Sequence, residues 1–189
     1  MADNKTAQEY AQKRTKQEQK DAKVREVGRK LVKRFGNRPH AIVAMLGNID
    51  VETGGSFDPK QKQYRGGPGR GLFQFDWHKK HYKDYLEEEG LEDNEDSQIE
   101  YVYENIYGNK KHIVGEGNAK KLRAAFDTQD SVAISDVFQE KFLRPQEGKE
   151  HTDRRRDATR MYTTATFPPI ARTISHFLSL CSDREKVKW

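Results

Sequence analysis

Between Glu52 and Asp76 the chain gathers its most chemically suggestive side chains. A carboxyl group at the wet edge of an apolar helix face loses hydration, which disfavours its charged form and raises its pKa. Such a group stays protonated near neutral pH and can donate to a leaving oxygen, the task of the acid in glycoside cleavage. Glu52 meets the positional requirement. Ile42, Met45, Leu46 and Ile49 recur at helical spacing, and Glu52 follows Ile49 by three residues on the same side. An isolated helical Glu is usually just solvated, but negative charge at a helix C-terminus is mildly unfavourable, so a decorative carboxylate has no local support there. The Gln74 amide could serve both donors and acceptors of an N-acetyl sugar. Asp76 could have a supporting role in such a reaction, or it could only cap a helix starting at Trp77. His78 and His81 share a helical face, but no third ligand clusters with them, so neither a metal nor a cofactor is expected.

The elements that must position these groups can be read from the flanking residues. Asn37 as a cap and Pro39 in the first turn open the Glu52 helix, and Gly54-Gly55 supplies the left-handed residue that ends it. Ser56 to Arg70 is a polar, glycine-rich loop that allows close approach of backbone to a ligand, and its Tyr64 could stack on a sugar ring. Gly71 to Asp76 alternates, with Leu72, Gln74 and Asp76 on one side and Phe73 and Phe75 on the other, which predicts a short strand. Gln74, Tyr64, Gly71 and Phe73 are therefore the substrate-binding candidates, and Glu52 and Asp76 the catalytic ones.

Residues 1–23 read as a charged, basic arm that is either a solvated helix or disordered. Val24, Val27, Leu31, Val32 and Phe35 then mark a helix closed by Gly36. Further helices are expected from Asp96 or Ser97 to Gly108, from Asn118 to Phe126, from Asp130 or Ser131 to Leu143, and from Thr152 to Tyr162. Residues 24–167 form the main domain in this reading, and residues 168–189 a C-terminal amphipathic helix. The formal charge of +5 favours polyanionic surroundings such as cell-wall polymers or nucleic acid. A single cysteine, Cys181, precludes an intrachain disulfide. No apolar run reaches the length of a membrane span, and the first residues lack a signal-peptide core.

The run Ala41-Ile42-Val43-Ala44-Met45-Leu46-Gly47-Asn48-Ile49-Asp50-Val51-Glu52-Thr53-Gly54 resembles the segment preceding the catalytic Glu in the phage tail-type lysozyme family. Gly71-Leu72-Phe73-Gln74, Phe142-Leu143-Arg144-Pro145 and Arg154-Arg155-Arg156-Asp157-Ala158 are similar to that family's later motifs, in the same order. The resemblance extends to the goose-type lysozymes and the lytic transglycosylases. It implies a predominantly helical α+β, lysozyme-like fold with a small β-hairpin beside a cleft. It also implies a muramidase acting on the β-1,4 bond between N-acetylmuramic acid and N-acetylglucosamine of peptidoglycan. Such a protein would be made in a host cytoplasm, carried in the phage virion and active at the bacterial wall during genome entry. Other virion proteins or DNA are possible partners of the basic arm. Two alternatives stand beside it: a lytic transglycosylase forming 1,6-anhydro products, and a non-catalytic virion or nucleic-acid-binding protein.

Overall fold

The computed structural model describes residues 2–36, 38–63, 67–76, 78–108, 113–145, 148 and 151–164, with side chains from Gln8 onward. The described residues form helices α1 (Ala2–Phe35), α2 (Pro39–Glu52), α3 (Lys79–Glu89), α4 (Glu95–Tyr107), α5 (Glu116–Phe126), α6 (Ser131–Phe138) and α7 (Thr152–Thr163). A single π-helical turn, Gln139–Leu143, extends α6. The expected C-terminal helix, residues 168–189, lies outside the described residues.

α2 is the hub, packed against α1, α5, α6 and α7. The spacing of its large residues predicts one apolar face, yet every residue from Ala41 to Ile49 is buried. A helix enclosed on all sides needs small or internally bonded residues where its neighbours come closest. Gly47 provides one: a Cβ there would lie 2.3 Å from Thr159 Oγ1 and 2.7 Å from the Thr159 nitrogen on α7. Asn48 provides the other, donating to the Ala44 carbonyl at 2.9 Å and to Ser135 Oγ of α6 at 2.8 Å. Pro39 occupies the first turn of α2, and the N-cap residue is Arg38.

α1 runs unbroken from the basic arm into the core. Val24, Val27, Leu31 and Phe35 are buried, whereas Gln8 to Gln19 are exposed. The arm is nevertheless tied to α2, because Lys20 Nζ donates to both carboxylate oxygens of Asp50 at 3.0 Å. Farther along α1, Arg34 pairs with Glu100 and Glu104 on α4 and lies 3.5 Å from the centre of the Tyr103 ring.

The predominantly helical class agrees with the expectation, but no β-hairpin is seen among the described residues. Among the described residues the only pairing of extended chain is an isolated antiparallel bridge between Lys62 and Arg70. Gly71 to Asp76 is a compact turn rather than a strand. Gly71 has φ of 82° and Gln74 of 45°, both in the left-handed region that an extended chain does not visit. The turn sends Leu72, Phe73 and Phe75 all into the core, so the alternation in sequence does not become alternation in space. Helix starts also shift. Asn94 caps α4 in a capping box with Ser97, and Gly115 and His151 precede α5 and α7. Asp130 caps α6 as expected, accepting from the Val132 and Ala133 amides at 3.0 Å.

Candidate active site

Glu52 is the last residue of α2. The chain then leaves through Thr53 into Gly54 and Gly55, with φ of 58° and 83°. Thr53 folds back to donate its hydroxyl to the Ile49 carbonyl at 2.7 Å and accepts the Phe57 amide at 3.1 Å, which fixes the exit. The Glu52 side chain retains 17% of its exposure, so it sits at the boundary of the core rather than within it.

A residue from the far end of the chain completes this site. Arg155 of α7, only 2% exposed, donates Nη2 to Glu52 Oε1 at 2.9 Å and Nη1 to Asn48 Oδ1 at 3.1 Å. Asn48 thus links the α6 hydroxyl, the α7 guanidinium and its own helix, and presets the arginine against Glu52. Two opposed effects act on the Glu52 carboxyl. Burial raises its pKa above the usual carboxylate range and is the larger effect; the Arg155 charge and hydrogen bond pull it down. The protonated form is therefore favoured relative to an exposed glutamate. Oε1 is held by arginine, and among the described residues no hydrogen bond engages Oε2.

The loop after Glu52 is built from amide side chains rather than from regular structure. Gln98 of α4, fully buried, accepts the Leu72 amide at 2.8 Å and donates to the Pro59 carbonyl and to Asp93 Oδ1, each at 2.8 Å. A Cβ at Gly71 would lie 2.5 Å from the Gln98 amide oxygen, so both the positive φ and the contact require glycine there. Gln63 Oε1 accepts the Gly69 amide at 3.0 Å. Gln74 Nε2 donates to the Gly71 carbonyl at 2.9 Å and to the Gln61 carbonyl at 3.2 Å. Its two donors are spent on the loop, and its Oε1 is buried without a hydrogen-bond partner.

The structure therefore separates the sequence-derived candidates. Glu52 lies in the boundary position the spacing predicts. Gln74 braces the loop with its donors. Gly71 is buried against Gln98, and the Phe73 ring is 2% exposed, packed on Phe75, Phe138 and Phe142. Tyr64 lies outside the described residues. Asp76 is half-buried and does not cap α3, whose N-cap residue is His78 without a side-chain cap bond. No hydrogen bond or ion pair joins Asp76 to Glu52 or Arg155.

His78 is buried at 1% exposure and stacks on Phe142. Its Nε2 faces the Phe142 carbonyl at 3.1 Å, which can only accept, so the proton resides there and Nδ1 accepts from the Tyr101 hydroxyl at 3.0 Å. Desolvation lowers its pKa to about 3, and the ring is a neutral tie between the turn, α4 and the π-helical turn. Arg144, at φ of 47°, donates Nη2 to the Val114 carbonyl at 2.9 Å. The Phe142 to Pro145 motif thus locks the domain rather than entering the site. The residue missed in sequence is Arg155. The signal for it is periodicity: Arg155, Thr159 and Tyr162 are the buried residues of α7, one helical face.

The helical scaffold thus presents one carboxyl at the boundary of its core, held against a buried arginine. Residues 22–165 match the sequence model of the phage tail lysozyme family, and the chain belongs to that family. No curated protein matches the sequence.

Proposed function

We propose that the protein degrades peptidoglycan as a muramidase, cleaving the β-1,4 bond between N-acetylmuramic acid and N-acetylglucosamine with Glu52 as proton donor. The observation that carries this reading is the state of Glu52: protonation is favoured by burial, one oxygen is fixed by Arg155 and the other is unengaged among the described residues. As the glycosidic bond breaks, its electron pair goes to the leaving oxygen, which takes the proton from Glu52 Oε2. Arg155 then stabilises the carboxylate that remains. Water adds to the anomeric carbon, and the proton it releases returns to Glu52. Asp76, half-buried and free of a capping duty, is the second carboxylate in this reading, opposing positive charge on the sugar.

A second reading, lytic transglycosylase, is favoured by one observation: among the described residues no bond links Asp76 directly to Glu52 or Arg155. Glu52 then acts alone, returning as base to take the proton of the sugar's own 6-hydroxyl as a 1,6-anhydro ring closes. Family membership and the exposed basic stretch of α1 support a place in the phage particle, with wall opening during genome entry as the biological step.

Glu52→Gln is the direct test, read by wall-clearing turbidity and by mass spectrometry of released muropeptides. The variant is expected to fold and to lose on the order of 10²–10⁴-fold in activity, the usual worth of a positioned acid. Undiminished activity excludes Glu52 as the acid. Reducing N-acetylmuramic acid ends mark the wild type as a muramidase, and 1,6-anhydro ends mark it as a transglycosylase.

A further inference from the structure

A cavity of ligand size lies away from Glu52, which is not among the residues that line it. It has a volume of about 760 Å³ and lies between the loop that follows Glu52 and helix α3. Its floor is apolar, formed by Phe75, Tyr82 and Leu86, and Gly67-Pro68-Gly69 forms one wall. Lys62 and Arg70 reach it from the loop and Lys79 and Lys83 from α3. Lys79, Tyr82, Lys83 and Leu86 follow helical spacing, so one face of α3 presents both the charge and the floor.

The charge here is unbalanced. Lys83 pairs with Glu87 at 3.3 Å. The side chains of Lys62, Arg70 and Lys79 make no hydrogen bond or ion pair among the described residues. Asp93 is the one carboxylate among the described lining residues, and its Oδ1 accepts from both Tyr82 and Gln98, which turns that charge inward. Three unpaired cations around an apolar hollow of ligand size suit a short anion-bearing chain with small apolar groups. A neutral sugar chain offers no charge to these groups. The peptide stems attached to peptidoglycan do, through free carboxylates on a chain rich in methyl groups.

We propose that this cavity seats the acidic peptide stem of the glycan strand being cut, and so selects stem-bearing over bare glycan. The proposal rests on the peptidoglycan-degrading reading for its substrate. Its test uses the full chain and the triple variant Lys62→Gln/Arg70→Gln/Lys79→Gln, whose altered side chains are all exposed. Both proteins are assayed on purified walls, on the same glycan after an amidase has removed the stems, and on walls stripped of phosphodiester polymers. The variant is expected to show a KM raised about tenfold on stem-bearing glycan with kcat unchanged, the combined worth of three exposed charge contacts. On stem-free glycan it is expected to match the wild type. An equal loss on both glycans, no loss on either, or a loss that disappears once phosphodiester polymers are stripped overturns the proposal.

Calorimetric titration of a free stem peptide separates this result from the fate of the catalytic reading. Peptide binding that the triple variant abolishes supports the cavity even if no glycan is cleaved. Glycan cleavage by a wild type that binds no stem peptide leaves the catalytic reading standing and removes this one.

Discussion

Glu52 stands on a contact between two helices, whereas Gln74 and Asp76 stand on a loop whose order comes from hydrogen bonds. In the first region α2 meets α7 with backbone against backbone at Gly47 and Thr159, and Arg155 closes the contact by pairing with Glu52 and Asn48. In the second, the amides of Gln61, Gln63, Gln74 and Gln98 hold a chain that has almost no regular pairing. Close packing resists change everywhere at once, because neighbouring atoms have nowhere to go. A loop held by side-chain bonds can exchange some of them for water and yield locally. In the proposed mechanism, an acid that must keep one oxygen aimed sits on the former, and a surface that would adapt to a polymer on the latter.

The same division explains what was legible in the sequence. Ile42, Met45, Leu46 and Ile49 placed α2 and the position of Glu52, because helical periodicity is a local property of the chain. Burial of Arg155 was legible only in part: three consecutive arginines look alike, and only the face shared with Thr159 and Tyr162 singles one out. The alternation from Gly71 to Asp76 predicts a strand because its period of two is real in composition. What overrides it is the left-handed backbone at Gly71 and Gln74, sustained by Gln98 some 25 residues away. No local pattern announces such a partner. The caps of α4, α5 and α7 moved for a similar reason, since several neighbouring residues can serve and the surrounding packing chooses among them.

The most disruptive way to break the comparison is to remove the arginine from the packed side. Arg155→Gln leaves Glu52 without its cation in a partly enclosed site, and breaking a buried pair costs about 3 kcal/mol. Urea denaturation is expected to show that loss. It is also expected to change the pH profile in a definite direction. If Glu52 is the acid, activity requires its protonated form and falls as pH rises through its pKa. Arg155 lowers that pKa, so its removal shifts the alkaline limb of activity to higher pH. A limb that stays in place or moves down shows that Arg155 does not set the protonation of Glu52.

Gly47→Ala attacks the same contact by shape alone. The new Cβ meets the Thr159 hydroxyl, which can rotate, but also the Thr159 nitrogen at 2.7 Å and Cα at 2.8 Å, which cannot. Overpacking of this kind costs about 1–3 kcal/mol, and the backbone contact favours the upper end. Thermal melting is expected to fall as one cooperative transition. On the loop side, Gln98→Leu deprives the Leu72 amide and the Pro59 carbonyl of partners, at about 1–3 kcal/mol for each group left dry and less where water enters. Hydrogen exchange is expected to accelerate at Leu72 and around Gly71 while the α2 amides stay protected. Equal acceleration in α2 erases the contrast between the two regions.

Asp76→Asn carries the smallest expected effect on stability and the sharpest consequence for mechanism. The side chain caps no helix, so exchanging carboxylate for amide is expected to change stability by no more than a few tenths of a kcal/mol. The substitution keeps the size of the side chain and removes only its charge. If Asp76 opposes positive charge on the sugar in the transition state, kcat is expected to fall on the order of tenfold or more with little change in KM, because the interaction exists only as charge develops. An unchanged kcat assigns the whole catalytic burden to Glu52. The product ends then decide the route: 1,6-anhydro rings follow from a single carboxyl that acts first as acid and then as base. Reducing ends require a water activated without Asp76, and Glu52, held by Arg155 in its ionised form, becomes the base that activates it.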